Sequence, residues 1–361
     1  MLPIVAADPY LAPHSDFFHD IHALAEQTEQ RLLKGHSSLA DFATAHEFFG
    51  MHRTDTGWVL REWAPNATAI FLIGPFSNWH KQDRFALHKQ GGGIWEIMLP
   101  ADTLRHQDLY RLLVEWQGGC GERIPPFARR VVQDNHTHIF SAQVWDPPTH
   151  FQWQVPTFKP TLPLFIYEAH VGMAQEAERV GTYWEFKEYI LPRVIAAGYN
   201  CIQLMAVAEH PYYGSFGYQV SSYFAPSSRF GTPEELKELI DTAHAKGLTV
   251  LMDIVHSHSV KNEVEGLSRF DGTLYQYFHD GGRGEHPVWD SRLFNYGKDE
   301  VLRYLLSNVR YWLEEFKFDG FRFDGVTSML YYDHGLGRAF TNYDEYFNGG
   351  IDHDALVYLT L

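Results

Sequence analysis

The chain has 361 residues, 45% hydrophobic and 20% charged, enough for two domains with sizeable cores. A net charge of −16 argues against nucleic-acid partners, whose phosphates call for clustered Lys and Arg, and no run of roughly 20 apolar residues offers a membrane span. Two distant cysteines, Cys120 and Cys201, and an opening MLPIVAADPYLAPHSD without a basic or clearly apolar leader point to a reducing cytoplasm.

Residues 1–50 place Phe17, Ile21, Leu24, Leu32 and Leu33 near a 3.6-residue period, with Gly35 as a stop, and predict a helical segment. Residues 51–155 change character. Short β-branched or aromatic runs (Trp58–Trp63, Ala69–Ile73, Ile94–Leu99 and Tyr110–Trp116), bounded by Gly, Pro, Asn or Asp, predict a small antiparallel sandwich. Pro147, Pro148, Pro156, Pro160 and Pro163 then read as a linker.

Residues 156–361 alternate strand and helix. LFIYEAH (164–170), CIQLMAV (201–207), LTVLMDIV (248–255) and FDGFRFD (318–324) are predicted strands. Between them, Thr182 with Glu185 and Thr232-Pro233-Glu234-Glu235 have the make-up of capping boxes, closed by Gly198 and Gly247. A long amphipathic helix carries Val301, Leu305, Trp312 and Phe316. Continuous apolar strands between capped helices predict a parallel sheet covered on both faces.

In such a sheet, ligands bind beyond the carboxyl ends of the strands. The third predicted strand ends at Asp253, His256, Ser257 and His258, the fourth at Arg322 and Asp324, and the loop after the second supplies Gly214-Ser215-Phe216-Gly217-Tyr218-Gln219. Two carboxylates, an arginine, two histidines and a tyrosine thus converge on one rim. The 16% aromatic content has two readings: a large aromatic core, or rings that stack on the apolar faces of sugars. His256 and His258, two residues apart and so expected on the same side of a strand, also raise the question of a metal pair, which lacks a further ligand at fixed spacing.

DIVHSH followed by GFRFDGVTSM resembles the first two sequence signatures of the α-amylase superfamily, glycoside hydrolase family 13, in the form carried by glycogen and starch branching enzymes. EWAPNATAIFLIGPFSNW (62–79), IYEAHVGM (166–173), GSFGYQVSSYFAPSSRFGTPEELK (214–237), HPVWDSRLFNYG (286–297) and DALVYL (354–359) extend the resemblance over nearly the whole chain. It implies a carbohydrate-binding-module-like sandwich followed by the first four βα units of a (β/α)8 barrel. It implies α-1,4-glucan (glycogen, amylose, starch) as partner, no cofactor, and retaining transfer of a glucan chain from an α-1,4 to an α-1,6 linkage. Asp324 matches the nucleophile, Arg322 the arginine that orients it, Asp253 a support beneath, and His258 and Tyr218 contacts to the sugar. Trp79 resembles a binding-module aromatic, and Glu300 and Arg303 lie in a stretch where relatives hold glucan on the surface.

Two departures bear on specificity. Ser257 stands where many amylases have a calcium-binding asparagine, so no such metal site is expected. Gly325-Val326-Thr327 replaces the Lys-His pair that follows the nucleophile in hydrolytic amylases, which favours transfer over hydrolysis. A retaining mechanism also needs a second carboxyl group about 5–5.5 Å from the first. The family's glutamate on the fifth strand has no counterpart after Asp324, and four strands stand where a barrel has eight. The expectation is therefore a C-terminally truncated branching enzyme, inactive alone. The alternatives are an α-glucan hydrolase or debranching enzyme of the same superfamily, or a non-catalytic glucan-binding fragment.

Overall fold

The computed structural model describes residues 3–347 and 349–361. Helix α1 (Ser15–Leu32) is the first long helix, and its Leu32 joins Phe42, Ala45 and Phe49 in one cluster with the interior of the later α/β part. The helical segment is thus packed on the α/β half. Arg31 pairs with Asp299 at 3.0 Å across that junction.

The sandwich consists of two antiparallel sheets. Gly50–Thr54, Gly57–Trp63, Ile94–Pro100 and His88–Lys89 pair in that order. The second sheet runs Ala67–Ile73, Leu109–Trp116, Phe140–Gln143, Val131–Gln133, with Gly119–Arg123 also paired to Leu109–Trp116. Alternation explains the arrangement: Trp58 and Leu60 are buried with Trp95, Ile97, Tyr110 and Leu112 between the sheets.

Glu62 breaks this apolar pattern. It is fully buried, and neither carboxylate oxygen has a hydrogen-bond partner among the described residues. Burial raises its pKa well above the ordinary 4.5. The folded state therefore keeps this proton after the unfolded chain has released it, so the stabilisation is complete below pH 4.5 and is lost as pH rises. Glu62→Gln, neutral at every pH, should match the wild type near pH 4 and exceed it at pH 8; urea unfolding at both pH values checks this.

The Pro-rich stretch is anchored, unlike a free linker. The backbone N–H groups of Gln154 and Val155 both donate to the buried Asp241 carboxylate at 2.9 Å, and Phe158 stacks on His244 at 4.4 Å. Asp241 and His244 belong to helix α2 (Pro233–Ala245), so the segment is held by a helix some 85 residues ahead of it, which local composition cannot reveal.

Four parallel strands, β1 (Ile166–Ala169), β2 (Cys201–Leu204), β3 (Thr249–Ile254) and β4 (Gly320–Phe323), form one sheet in that order. Both capping boxes form. Thr232 accepts the Glu235 N–H at 3.2 Å while Glu235 accepts that of Thr232 at 2.6 Å, and Thr182 and Glu185 do the same at 3.1 and 3.0 Å. Helix α3 (Asp299–Glu315) buries Val301, Leu305 and Trp312, the face its periodicity predicts. A last helix, α4 (His353–Thr360), packs against α1. No helix among the described residues is long and apolar enough to cross a membrane.

Candidate active site

The carboxyl end of the sheet is built by register. β3 and β4 pair Asp253 with Arg322, and Asp324 follows the last residue of β4, its N–H still bonded to the Ile254 carbonyl at 2.9 Å, which keeps the alternation going and sets it beside Arg322. The guanidinium therefore sits between two carboxylates. Arg322 Nη1 donates to Asp324 Oδ1 at 2.7 Å and lies 3.3 Å from Asp253 Oδ2. Burial disfavours the charge of Arg322, but Asp253 and Asp324 outweigh it and hold its pKa above the ordinary value.

Asp253 is wholly buried and fully bonded. Besides Arg322, its Oδ2 accepts the Tyr218 hydroxyl at 2.6 Å, and its Oδ1 accepts the Gln203 side-chain amide at 2.8 Å. Burial raises its pKa despite those bonds from Tyr218 and Arg322. An anchored carboxylate of this kind positions its neighbours. Asp324 is the exposed member of the pair, its side chain 21% accessible against 0% for Asp253, and its Oδ2 takes no hydrogen bond from the described residues. Gly325 follows at φ +68°, where a Cβ would stand 2.6 Å from Ser257 Oγ, so glycine is required for the turn that leaves Asp324 at the surface.

Tyr218, His258 and Asp324 line one cleft of about 400 Å³, together with Ser215, Gln219, Val288 and Trp289. Asp324 is the one carboxylate in that lining. Both ring nitrogens of His258 are engaged, Nε2 with the Tyr218 carbonyl at 2.8 Å and Nδ1 with Ser257 Oγ at 2.9 Å. The first bond makes Nε2 the protonated nitrogen, and burial lowers the pKa of the ring, which keeps it neutral.

His256 and His258 do not form a pair. Strand β3 ends at Ile254, and beyond it His256 bonds to Tyr358 and Asn308 on helices α4 and α3 while His258 faces the cleft. One other group of potential metal ligands meets among the described residues, His46, Glu47 and Glu314, and Arg310 already pairs with both glutamates at 3.6 and 2.8 Å.

The remaining candidates lie elsewhere. Glu300 and Arg303 border a second cleft, about 210 Å³, with Trp63, Phe49, Phe127 and Tyr277 between sandwich and barrel. Trp79 is half-buried, lines neither cleft, and carries the Arg111 guanidinium 4.4 Å over its ring. Sequence reasoning missed Gln203 and Trp289. The signal for Gln203 is a lone amide inside the apolar run CIQLMAV; for Trp289 it is an aromatic in a polar loop.

Two family models match the chain. Residues 48–128 match carbohydrate-binding module 48 (isoamylase N-terminal domain), and residues 194–291 match the alpha amylase catalytic domain. The 1,4-alpha-glucan-branching enzymes of Dictyostelium discoideum and Aspergillus oryzae are each 47% identical to it across 99% of this chain and 53% of their own length. The horse enzyme is 45% identical over 99% of this chain and 52% of its own. Over nearly its whole length the chain is thus similar to 1,4-alpha-glucan-branching enzymes, and parts of it match the module-48 and α-amylase family models. It spans about half the length of the curated relatives it matches. Solved structures of this superfamily share the fold. A pullulanase from Paenibacillus barengoltzii, in complex with maltohexaose and α-cyclodextrin, aligns at TM-score 0.66 and 20% identity over 81% of this chain and 52% of that one. A putative alpha amylase from Salmonella typhimurium aligns at TM-score 0.63 and 24% identity over 76% and 43%. The architecture is therefore a module-48 sandwich followed by part of an α-amylase barrel, as the sequence signatures imply.

Proposed function

We propose that the chain carries the nucleophile side of a 1,4-α-glucan branching site and acts on glycogen-, amylose- or starch-like chains. The observation that carries this reading is the 2.7 Å bond from Arg322 to one oxygen of Asp324, a residue that lines the cleft and whose other oxygen takes no hydrogen bond from the described residues. A carboxylate oriented in this way is equipped to attack an anomeric carbon and hold the donor chain as a glycosyl ester. Asp253 and Gln203 fix Arg322 and Tyr218 from beneath, and Tyr218 offers its ring to the sugar. Transfer of the ester to a 6-hydroxyl would then make the α-1,6 branch. The group that protonates the leaving oxygen is not among the residues lining the cleft, so the chain alone should not turn over amylose.

A donor that needs no protonation separates these steps. With α-glucosyl fluoride the carbon–fluorine bond breaks, fluoride leaves, and an ester forms between the anomeric carbon and Asp324. Intact mass should rise by one glucosyl group, and no adduct would overturn the nucleophile assignment. Joined to the remaining half of the Dictyostelium relative, the chain should remove the iodine colour of amylose without new reducing ends. A matching rise in reducing ends would favour a hydrolase.

The second cleft extends the reading. Glu300 and Arg303 beside Trp63 and Tyr277 combine hydrogen-bonding groups with aromatic walls, a composition suited to a neutral sugar chain. Glu300→Ala combined with Arg303→Ala should weaken retardation of the chain in glycogen-containing native gels by about tenfold in apparent Kd.

A further inference from the structure

Trp289 stands beside Asp324 with no role in the reading above. It lies 38% exposed in the short connection between Glu285–His286 and Ser291–Arg292, which pair antiparallel. One face of the indole is stacked on His286, with ring centroids 4.0 Å apart and planes 5° from parallel. His286 in turn fixes the backbone beneath the indole, because its Nδ1 accepts the N–H of Val288 at 3.2 Å and of Trp289 at 3.0 Å. Only 3% of His286 is exposed, and its other neighbour is the His334 ring at 4.6 Å. Burial holds the His286 pKa at about 4, so this support stays uncharged at neutral pH.

The indole reaches the residue that follows Asp324. A Cβ placed on Gly325, the residue after Asp324, would lie 3.3 Å from Trp289 Cη2, and the His258 ring is 5.0 Å away. Tyr218 and Trp289 both line the cleft that holds Asp324. A large apolar side chain costs free energy when left in water, and here it is held rigid in a cleft with a single charged group. A flat, uncharged, pre-positioned ring fits the C–H face of a neutral sugar.

We propose that Trp289 is a stacking platform for a glucose unit of an α-glucan chain adjacent to the unit attacked by Asp324, so that the cleft selects oligomers over free glucose. This rests on the reading of the Asp324 cleft as an α-glucan site. The test uses the full chain and two probes, α-glucosyl fluoride for capture at Asp324 and maltoheptaose as competitor. Maltoheptaose should slow oxidation of Trp289 by N-bromosuccinimide, read by peptide mass mapping, and should inhibit capture. Trp289→Ala should raise the half-inhibiting maltoheptaose concentration about tenfold, while Trp289→Tyr, which keeps a ring, holds it within about threefold.

Capture that maltoheptaose inhibits equally in wild type and Trp289→Ala would overturn the platform and leave the Asp324 reading standing. So would an unprotected Trp289 at inhibiting concentrations, or equal losses in the Ala and Tyr variants. Absence of capture in the wild type would overturn the Asp324 reading and the platform with it.

Discussion

Asp324→Asn should abolish capture of α-glucosyl fluoride, with a fall of at least about 10³-fold in the rate of adduct formation. The two side chains are nearly isosteric, so Arg322 keeps an oxygen acceptor and the cleft keeps its shape. What disappears is the negative charge that forms the ester bond. Folding is a small concern, because Asp324 is the exposed carboxylate of the pair and Asp253 retains its bonds to Tyr218, Gln203 and Arg322. Intact mass spectrometry over a time course reads the result. An adduct of undiminished rate in Asp324→Asn would place the nucleophile elsewhere.

Trp312→Ala should cost about 3–5 kcal/mol of folding stability. Trp312 is fully buried at the centre of the barrel core, against Phe316 at 4.9 Å and Phe318 at 6.0 Å. Its Nε1–H donates to the Tyr223 carbonyl at 3.2 Å, but that carbonyl also accepts Asn308 Nδ2 at 2.7 Å and keeps a partner after truncation. The cost is therefore mainly the cavity. The cleft should feel it as well, because α3 also supplies the Asn308 that bonds His256 behind the active strands. Urea unfolding monitored by far-ultraviolet circular dichroism gives the stability, and a loss below 1 kcal/mol would mean that the site repacks.

Much of the frame was legible because its causes are local. Thr182 with Glu185 and Thr232 with Glu235 form capping boxes within three residues of themselves, and the 3.6-residue period placed Trp312 and Leu305 inward without knowledge of the partner. Arg322 and Asp324 face the same way because a strand repeats every two residues. The same rule misled for His256 and His258, since β3 has ended before them and the backbone no longer alternates. The Pro-rich stretch connects the two parts, but composition describes only a segment's own freedom, and Asp241 removes that freedom from outside.

Sequence alone determined the strand and helix order, the capped helix starts, the Arg322–Asp324 spacing and, by resemblance, the superfamily. Only the tertiary structure decided which groups share a cleft. Gln203 meets Asp253 across 50 residues, Arg322 meets Asp253 across 69, and Trp289, held by His286 in a hairpin, lines the same cleft as Asp324. Such contacts depend on the parallel register of β2, β3 and β4 and on the burial of Asp253, whose oxygens are paired with Gln203, Tyr218 and Arg322. Neither is written in any local stretch, because both are properties of the closed packing between distant strands.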